Sequence, residues 1–279
     1  MDGRASISEV RVIVIITVSI GQMDVIRGQV QTNLATVSKM VEEAARRGSQ
    51  LVVFPELWST GYDLKRASSY ATAVDEGLFA EVAALARQHQ IDIVGSQMSL
   101  LGEGAYGNTA VYYDRHGQNL GSYDKVHLFG LMEEDQYLAG GDSLTIVESS
   151  WGKVGLAICY DLRFPELFRS YAVAGVDAVI LVAEWPRPRL AHWRTLLRAR
   201  AIENQMFVIA CNRVGTTGST EFFGHSCILD PAGETVFEAG EGAGLHTVDF
   251  DLDQLTTVRS SMPVFTDRRP DAYKLVPGG

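Results

Sequence analysis

One cysteine stands where the chain predicts a change from strand to helix. Cys159 follows the apolar run 154–158, and Pro165 marks the first turn of a helix soon after it. Such a turn lifts the sulfur out of the core and directs backbone N–H groups at an oxyanion formed beside it. A helix N-terminus and a nearby cation also favour thiolate over thiol. We therefore expect Cys159 to be a nucleophile with a stabilised thiolate.

The same residue types also have ordinary structural interpretations. Free cysteines are usually buried core residues, and we expect this of Cys211 and Cys227, which lie within apolar strands. Lysines are usually solvated surface charges, so Lys125 taken alone would be one. Glu56 follows Pro55 at the end of an apolar run, where a carboxylate must find a partner or shift its pKa. A salt bridge explains Glu56 as well as catalysis does.

The elements that must position these residues alternate between helix and strand. Apolar residues recur at helical spacing over 30–44, and a basic pair with Gly48 then ends the helix. The continuous apolar run 51–54 is typical of a strand buried on both faces. This alternation predicts an α/β protein with helices covering the sheets and functional residues at strand ends. Further helices are predicted near 78–87, 165–174 and 190–204, and further strands at 91–94, 109–113, 144–147, 154–158, 178–182, 207–210, 226–229, 235–237 and 245–250.

Composition and charge exclude several classes of protein. The 279 residues are 46% apolar and 21% charged, which is typical of a globular protein, and no linker or repeat marks a domain boundary. The net charge of −10 opposes nucleic-acid binding, which needs clustered basic residues. Three widely spaced cysteines form neither a disulfide framework nor a zinc pattern, so we expect a reducing cytoplasm.

An apolar run near the start of the chain, residues 12–20, has the length of a signal-peptide core. It is too short to span a bilayer, and no A-x-A-like cleavage site follows it. Because β-branched residues dominate the run, we expect a buried strand and no membrane partner.

Three short contexts occur in an order that is far more specific than any one of them. They are Phe54-Pro55-Glu56, Tyr123-Asp124-Lys125-Val126-His127-Leu128-Phe129 and Ile158-Cys159-Tyr160-Asp161-Leu162-Arg163-Phe164-Pro165-Glu166. They resemble the catalytic blocks of the nitrilase superfamily of carbon–nitrogen hydrolases, in its amidase branch. The similarity runs from about residue 18 to 273 and includes 200–204 and 223–231. It implies a four-layer α-β-β-α sandwich in a single domain, 1–279, with an N-terminal extension at 1–17.

The resemblance also implies a division of labour at the site. Cys159 attacks the substrate carbon, Glu56 is the general base, and Lys125 with the Tyr160 backbone N–H faces the oxyanion. A second glutamate is expected after the lysine, and Glu134, nine positions along, is favoured, although its neighbour Glu133 stays open. No metal or organic cofactor is implied. A homodimer or larger even-numbered assembly, paired through the helices of one outer layer, is implied.

The substrate expected from the resemblance is a small linear amide, cleaved to carboxylate and ammonia through a cysteine thioester. The block 57–62, the block 127–130 and Glu184-Trp185-Pro186 are similar to ω-amidase-like members, which act on the terminal amide of a short dicarboxylate or 2-oxo acid. Arg163 is a candidate for binding a substrate carboxylate, and pairing with Glu166 or Asp161 explains it equally well. An N-carbamoyl amide hydrolase with the same triad is the alternative enzyme. A catalytically silent binding protein on this fold is the other alternative.

Overall fold

Two β-sheets pack face to face in the computed structural model, which describes residues 14–273 of the chain. The strands are β1 (Ile15–Gln22), β2 (Leu51–Val53), β3 (Asp92–Gly102), β4 (Ala105–Tyr113), β5 (Asn119–Asp124), β6 (Ile146–Glu148), β7 (Lys153–Ile158), β8 (Ala178–Ala183), β9 (Phe207–Asn212), β10 (Val214–Thr217), β11 (Thr220–Phe223), β12 (Cys227–Leu229), β13 (Thr235–Glu238) and β14 (Gly244–Asp251). The helices are α1 (Val30–Arg46), α2 (Ala67–Tyr70), α3 (Gly77–His89), α4 (Glu134–Tyr137), α5 (Pro165–Val173), α6 (Leu190–Asn204) and α7 (Gln254–Ser261).

The two sheets repeat one pattern of strand pairing. Their orders are β14-β1-β2-β3-β4-β5 and β13-β12-β9-β8-β7-β6. In the first sheet β1, β2 and β3 pair in parallel, and in the second β7, β8 and β9 do so. The outer strands of both sheets pair antiparallel. Parallel strands end at the same edge of a sheet, so the residues that follow β2, β7 and β8 are available to one site.

Apolar packing defines four layers. Val37 of α1 packs with Val52 of β2 on the outer side of the first sheet. Val18 of the first sheet and Leu156 of the second share one buried cluster, which fills the space between the sheets. Helix α6 packs against β9 and β12 of the second sheet, and its Trp193 joins the apolar cluster of that sheet. The α-β-β-α sandwich expected from the sequence is confirmed.

The N-terminal strand begins earlier than the expected extension allowed. β1 starts at Ile15, which pairs with Asp251 of β14, so residues 15–17 belong to the first sheet and not to an extension. The strand expected over 12–20 is observed from Ile15 onward and is mostly buried, whereas Val14 is outside the strand and Ile15 is exposed; residues 12 and 13 lie outside the described range. No helix within residues 14–273 is both long and apolar enough to cross a bilayer.

Candidate active site

The three residues expected to carry the chemistry meet between the two sheets. Glu56 lies just beyond the end of β2, Lys125 directly follows β5, and Cys159 directly follows β7. The Lys125 ammonium lies 2.7 Å from Glu56 Oε1, and neither side chain is exposed to solvent. Cys159 is 5% exposed. Residues far apart in sequence are thus gathered because their strands end at one edge of the sandwich.

Glu56 is surrounded by donors. Its Oε1 accepts hydrogen bonds from the Tyr62 hydroxyl at 2.8 Å, Asn108 Nδ2 at 2.8 Å and Lys125 Nζ at 2.7 Å. Its Oε2 accepts one from the backbone N–H of Glu184 at 2.8 Å. A carboxylate oxygen has two lone pairs, so Oε2 retains capacity to take a proton. The arrangement fixes the carboxylate and leaves one oxygen free to act as a base.

Lys125 is held between two carboxylates. Its Nζ lies 2.6 Å from Glu134 Oε2 and donates a longer bond, 3.1 Å, to the Tyr62 hydroxyl. Burial alone would lower the pKa of Lys125, but the charges of Glu134 and Glu56 outweigh it and raise that pKa above its ordinary value. Glu134 Oε2 also accepts the Phe129 backbone N–H at 2.8 Å. Lys125 is therefore a permanent cation in a fixed position.

Cys159 occupies a strained turn. Its φ of 45° lies in the left-handed region, which residues other than glycine rarely adopt and which is common at functional sites. A 3-10 helix, Cys159–Arg163, begins at this residue, and α5 starts only at Pro165. Burial, followed by the charge of Glu56, raises the pKa of the thiol well above its ordinary value, although Lys125 lowers it. The expectation of a stabilised thiolate was therefore wrong, since the buried sulfur beside a carboxylate is held as the thiol.

Asp161 ties the cysteine turn to the lysine loop. Its Oδ2 accepts the Ile158 backbone N–H at 2.9 Å and the Tyr123 hydroxyl at 2.8 Å. Its Oδ1 accepts the His127 backbone N–H at 3.1 Å and lies 2.7 Å from Nδ1 of the same histidine. Asp161 is fully buried. They fix the turn that carries Cys159 relative to the loop that follows Lys125.

Glu184 is a second buried carboxyl group beside Glu56. Its Oε2 lies 3.2 Å from Nη1 of Arg213, and Arg213 is fully buried. Glu184 Oε1 is buried and has no hydrogen-bond partner among the described residues, 14–273. Burial raises the pKa of Glu184 to about 7; Arg213 lowers it and Glu56 raises it further. A carboxyl group with a pKa near neutrality therefore forms part of the wall of the site.

A small pocket of about 10 Å³ is lined in part by the cysteine. Two arginines from different elements line it. Arg163 follows the cysteine turn and stacks its guanidinium on the Trp185 ring at 4.9 Å, while Arg189 lies 5.6 Å above the Phe129 ring. The lining residues are Phe129, Cys159, Tyr160, Arg163, Glu184, Trp185, Pro186 and Arg189.

The structure separates the alternatives that the sequence left open. Glu134 is buried against Lys125, whereas Glu133 is exposed. Within residues 14–273, Arg163 forms no ion pair with Glu166 or Asp161, and its Nη2 lies 3.2 Å from Nδ1 of His192. Arg163 is thus available to the pocket.

Three contributors to the site were missed by sequence reasoning. Tyr62 and Asn108 contact the buried carboxylates, and Arg189 lines the pocket. Asn108 directly precedes the predicted strand 109–113 and belongs to no motif that the sequence offered, so nothing marked it. Arg189 follows the Glu184-Trp185-Pro186 block closely, and extending that block along the next turn would have reached it. In the part of the chain that the structure describes, no group of three or more His, Cys, Asp or Glu side chains is arranged to hold a metal ion.

Comparison with known proteins agrees with this geometry. The family model described as carbon-nitrogen hydrolase matches residues 17–260. The 2-oxoglutaramate amidase of Bacillus subtilis (strain 168) is 38% identical over 257 residues, which cover 92% of this chain and 99% of that protein. The omega-amidase of Xenopus tropicalis is 31% identical over 252 residues, covering 87% of this chain and 91% of that protein.

A solved structure of the Nesterenkonia sp. AN1 amidase is also similar. A mutant of that enzyme shows covalent addition of the acetamide moiety of fluoroacetamide at the active-site cysteine. It aligns with a TM-score of 0.82 at 27% identity, covering 92% of this chain and 95% of that chain.

Proposed function

This chain belongs to the carbon–nitrogen hydrolase family, and we propose that it releases ammonia from the terminal amide of a short 2-oxo acid, using Cys159, Lys125 and Glu56. It is an amidase that acts on carbon–nitrogen bonds other than peptide bonds, in keeping with its amidase relatives. The observation that carries the proposal is the buried Glu56–Lys125–Glu134 cluster beside a small pocket. Cys159 and Arg163 both line this pocket, and Arg163 has no carboxylate partner in residues 14–273.

In the first half of the reaction, Cys159 Sγ bonds to the amide carbon while the thiol proton passes to Glu56. The raised pKa of the thiol makes this base necessary, because little free thiolate exists before attack. The amide oxygen becomes an oxyanion, which Lys125 Nζ and the Tyr160 backbone N–H stabilise. Collapse of the intermediate breaks the carbon–nitrogen bond, Glu56 returns its proton to the nitrogen, and ammonia leaves a thioester on Cys159.

The second half reuses the same groups. Water attacks the thioester carbon and gives a proton to Glu56, and the new oxyanion meets the same donors. Collapse breaks the carbon–sulfur bond, and Glu56 returns the proton to Cys159. The carboxylic acid then leaves. The three N–H groups of Lys125 Nζ all donate hydrogen bonds in the site without substrate. The longest of these bonds, 3.1 Å to the Tyr62 hydroxyl, is the one that most easily breaks so that its N–H can donate to the oxyanion.

Arg163 supports recognition of a carboxylate at the other end of the substrate. It lines the pocket with Cys159 and stacks on Trp185, which holds the planar fork while leaving its donors available. The net charge of −10 repels an anionic substrate at long range, so binding needs such a local cation. The free acid of the amide is therefore the proposed substrate form.

The assembly and location of the protein are part of the proposal. Helices α5, α6 and α7 carry exposed apolar residues. Val173 at the end of α5 is 49% exposed, Ile202 within α6 is 50% exposed, and Met262 directly after α7 is 61% exposed. We propose a homodimer paired through these helices. Cys159, Cys211 and Cys227 are all unpaired and buried, which agrees with a reducing, cytoplasmic setting.

The test is an ammonia-release screen. Short ω-amides with a free carboxylate, their methyl esters, N-carbamoyl compounds and nitriles are compared by kcat/KM in the wild type and in Arg163→Gln. The proposal expects a higher kcat/KM for the free-acid amide than for its methyl ester in the wild type. Arg163→Gln should lower kcat/KM for the free-acid amide and leave that of the ester unchanged. Equal kcat/KM for acid and ester would rule out carboxylate recognition, and preference for the carbamoyl compounds would identify the alternative enzyme.

A further inference from the structure

Arg189 is the second cation of the pocket, and nothing in the mechanism above uses it. It lies at the end of the short segment that joins β8 to α6, and it lines the same pocket as Arg163. Its guanidinium is half-buried over the Phe129 ring at 5.6 Å. Phe129 belongs to the loop that follows Lys125, and both Phe129 and Arg189 also line a neighbouring outer pocket of about 410 Å³. Arg189 therefore borders both the pocket that contains Cys159 and the outer pocket.

The backbone of Arg189 is fixed in place. The indole N–H of Trp185 donates to the Arg189 carbonyl at 3.0 Å, and the Arg189 N–H donates to the Pro186 carbonyl at 3.2 Å. Two positions earlier, Arg187 is ion-paired with Glu221 and Glu241 on neighbouring segments. A segment held at three points presents its side chain in a reproducible position, which is what selective binding requires.

The guanidinium of Arg189 has no hydrogen-bond acceptor among residues 14–273. Arg187 has two carboxylate partners, whereas within residues 14–273 neither Arg163 nor Arg189 forms an ion pair with a carboxylate. The acidic side chain among the lining residues is Glu184, and it is ion-paired with the buried Arg213. The accessible wall of the pocket is therefore cationic and rich in donors, so it calls for a ligand that supplies acceptors.

We propose that Arg189 is the residue that selects 2-oxo acid amides over the matching 2-amino acid amides. The inference rests on the proposed function, in which Arg163 binds the carboxylate that both substrates share. They differ at the adjacent carbon, where one carries an oxo oxygen and the other an ammonium group. Guanidinium has donors only and a permanent positive charge, so it binds the oxo oxygen and repels the ammonium.

Charge variants at this position test the inference. The measured quantity is kcat/KM for a 2-oxo acid ω-amide and for its 2-amino counterpart of equal chain length, by ammonia release. Arg189→Gln should lower the 2-oxo value at least about tenfold, while the 2-amino value stays level or rises, because the repulsion is gone. Arg189→Glu should shift the ratio further toward the 2-amino substrate. Arg189→Lys keeps the charge without the fork and should retain part of the selectivity.

Two further variants separate this inference from the proposed function. Arg163→Gln should lower both substrates by a similar factor and leave their ratio unchanged. Arg198→Gln removes a positive charge from the exposed side of α6, where Arg198 contacts Thr235, and should change neither value. A wild type inactive on both substrates contradicts the proposed function. A wild type active on the 2-oxo substrate, with an unchanged ratio in folded Arg189→Gln and Arg189→Glu, overturns only the role of Arg189. Thermal unfolding of each variant verifies that it is folded.

Discussion

Lys125 Nζ lies 2.7 Å from Glu56 Oε1 in a site that excludes solvent from both side chains. Glu134 holds the same ammonium from the other side at 2.6 Å. A buried ion pair contributes little net stability, but removal of one partner leaves an uncompensated charge. The cluster thus has its catalytic geometry before substrate arrives, and each member depends on the others.

Loss of either partner of this pair should slow the reaction sharply. Lys125→Met removes an oxyanion donor and Glu56→Gln removes the proton carrier, so each should lower kcat by at least about 10² to 10³. Lys125→Met also leaves two buried carboxylates unpaired and should cost about 3–5 kcal/mol in the free energy of unfolding, measured with urea. Lys153→Met is the control, since Lys153 pairs with exposed Glu148 at the surface. Near wild-type kcat in both site variants would show that the assigned roles are wrong.

Glu56 should raise the pKa of the Cys159 thiol even though it is the base that takes the thiol proton. Burial and the Glu56 charge raise the pKa of Cys159, and Lys125 opposes them. Glu56→Gln should therefore lower the thiol pKa while it abolishes turnover. The measurement is the pH midpoint of iodoacetamide alkylation at Cys159, located by peptide mass. A midpoint equal to or above that of the wild type is the contrary result.

Glu184 should make the protein less stable as pH rises. Burial raises its pKa from 4.5 to about 7, so the folded chain holds the proton more tightly than the unfolded chain. Its contribution is complete below about pH 4.5 and is lost as pH rises to about 7, a loss of at most about 3 kcal/mol. Urea unfolding across this window should show a smaller decline for Glu184→Gln than for wild type. Identical declines would contradict the shifted titration.

The assembly should be a dimer or a larger even-numbered oligomer. The exposed apolar residues Val173 and Ile202 lie on two helices of one outer layer, and burial against a second copy would remove them from water. Light scattering should give at least twice the chain mass of 30.5 kDa. Ile202→Glu should weaken the assembly. A stable, active monomer in the wild type is the result that refutes pairing.

Local pattern predicted the strands and helices that carry a strong apolar period. The helix predicted over 190–204 has the same bounds as α6, and the run 51–54 ends where β2 delivers Glu56. The strand β5 was missed because its sequence, Asn-Leu-Gly-Ser-Tyr-Asp, is mostly polar, and the hairpin β10–β11 was missed because each of its strands has only four residues without a clear apolar alternation. Sequence pattern reports burial along one element, and it does not report which elements meet.

At the site, too, the sequence identified individual residues but not the contacts between them. Order and context identified Glu56, Lys125 and Cys159 as candidates, but the protonation of the thiol depends on burial and on a carboxylate from another strand. Tyr62 and Asn108 act through contacts with Glu56 that only the packed sandwich creates. The helix start after Cys159 suggested a thiolate, whereas the distance from the turn to α5 and the presence of Glu56 reverse that expectation.

The central claim is that the acyl group of the substrate passes through Cys159. Wild-type protein mixed with a 2-oxo acid ω-amide and quenched in acid should carry the acyl mass on the peptide containing Cys159, formed and lost at rates that account for ammonia release. Cys159→Ala should remain folded, carry no such mass and release no ammonia above background. Turnover within tenfold of wild type in Cys159→Ala, or an acyl mass on another residue, would contradict the account.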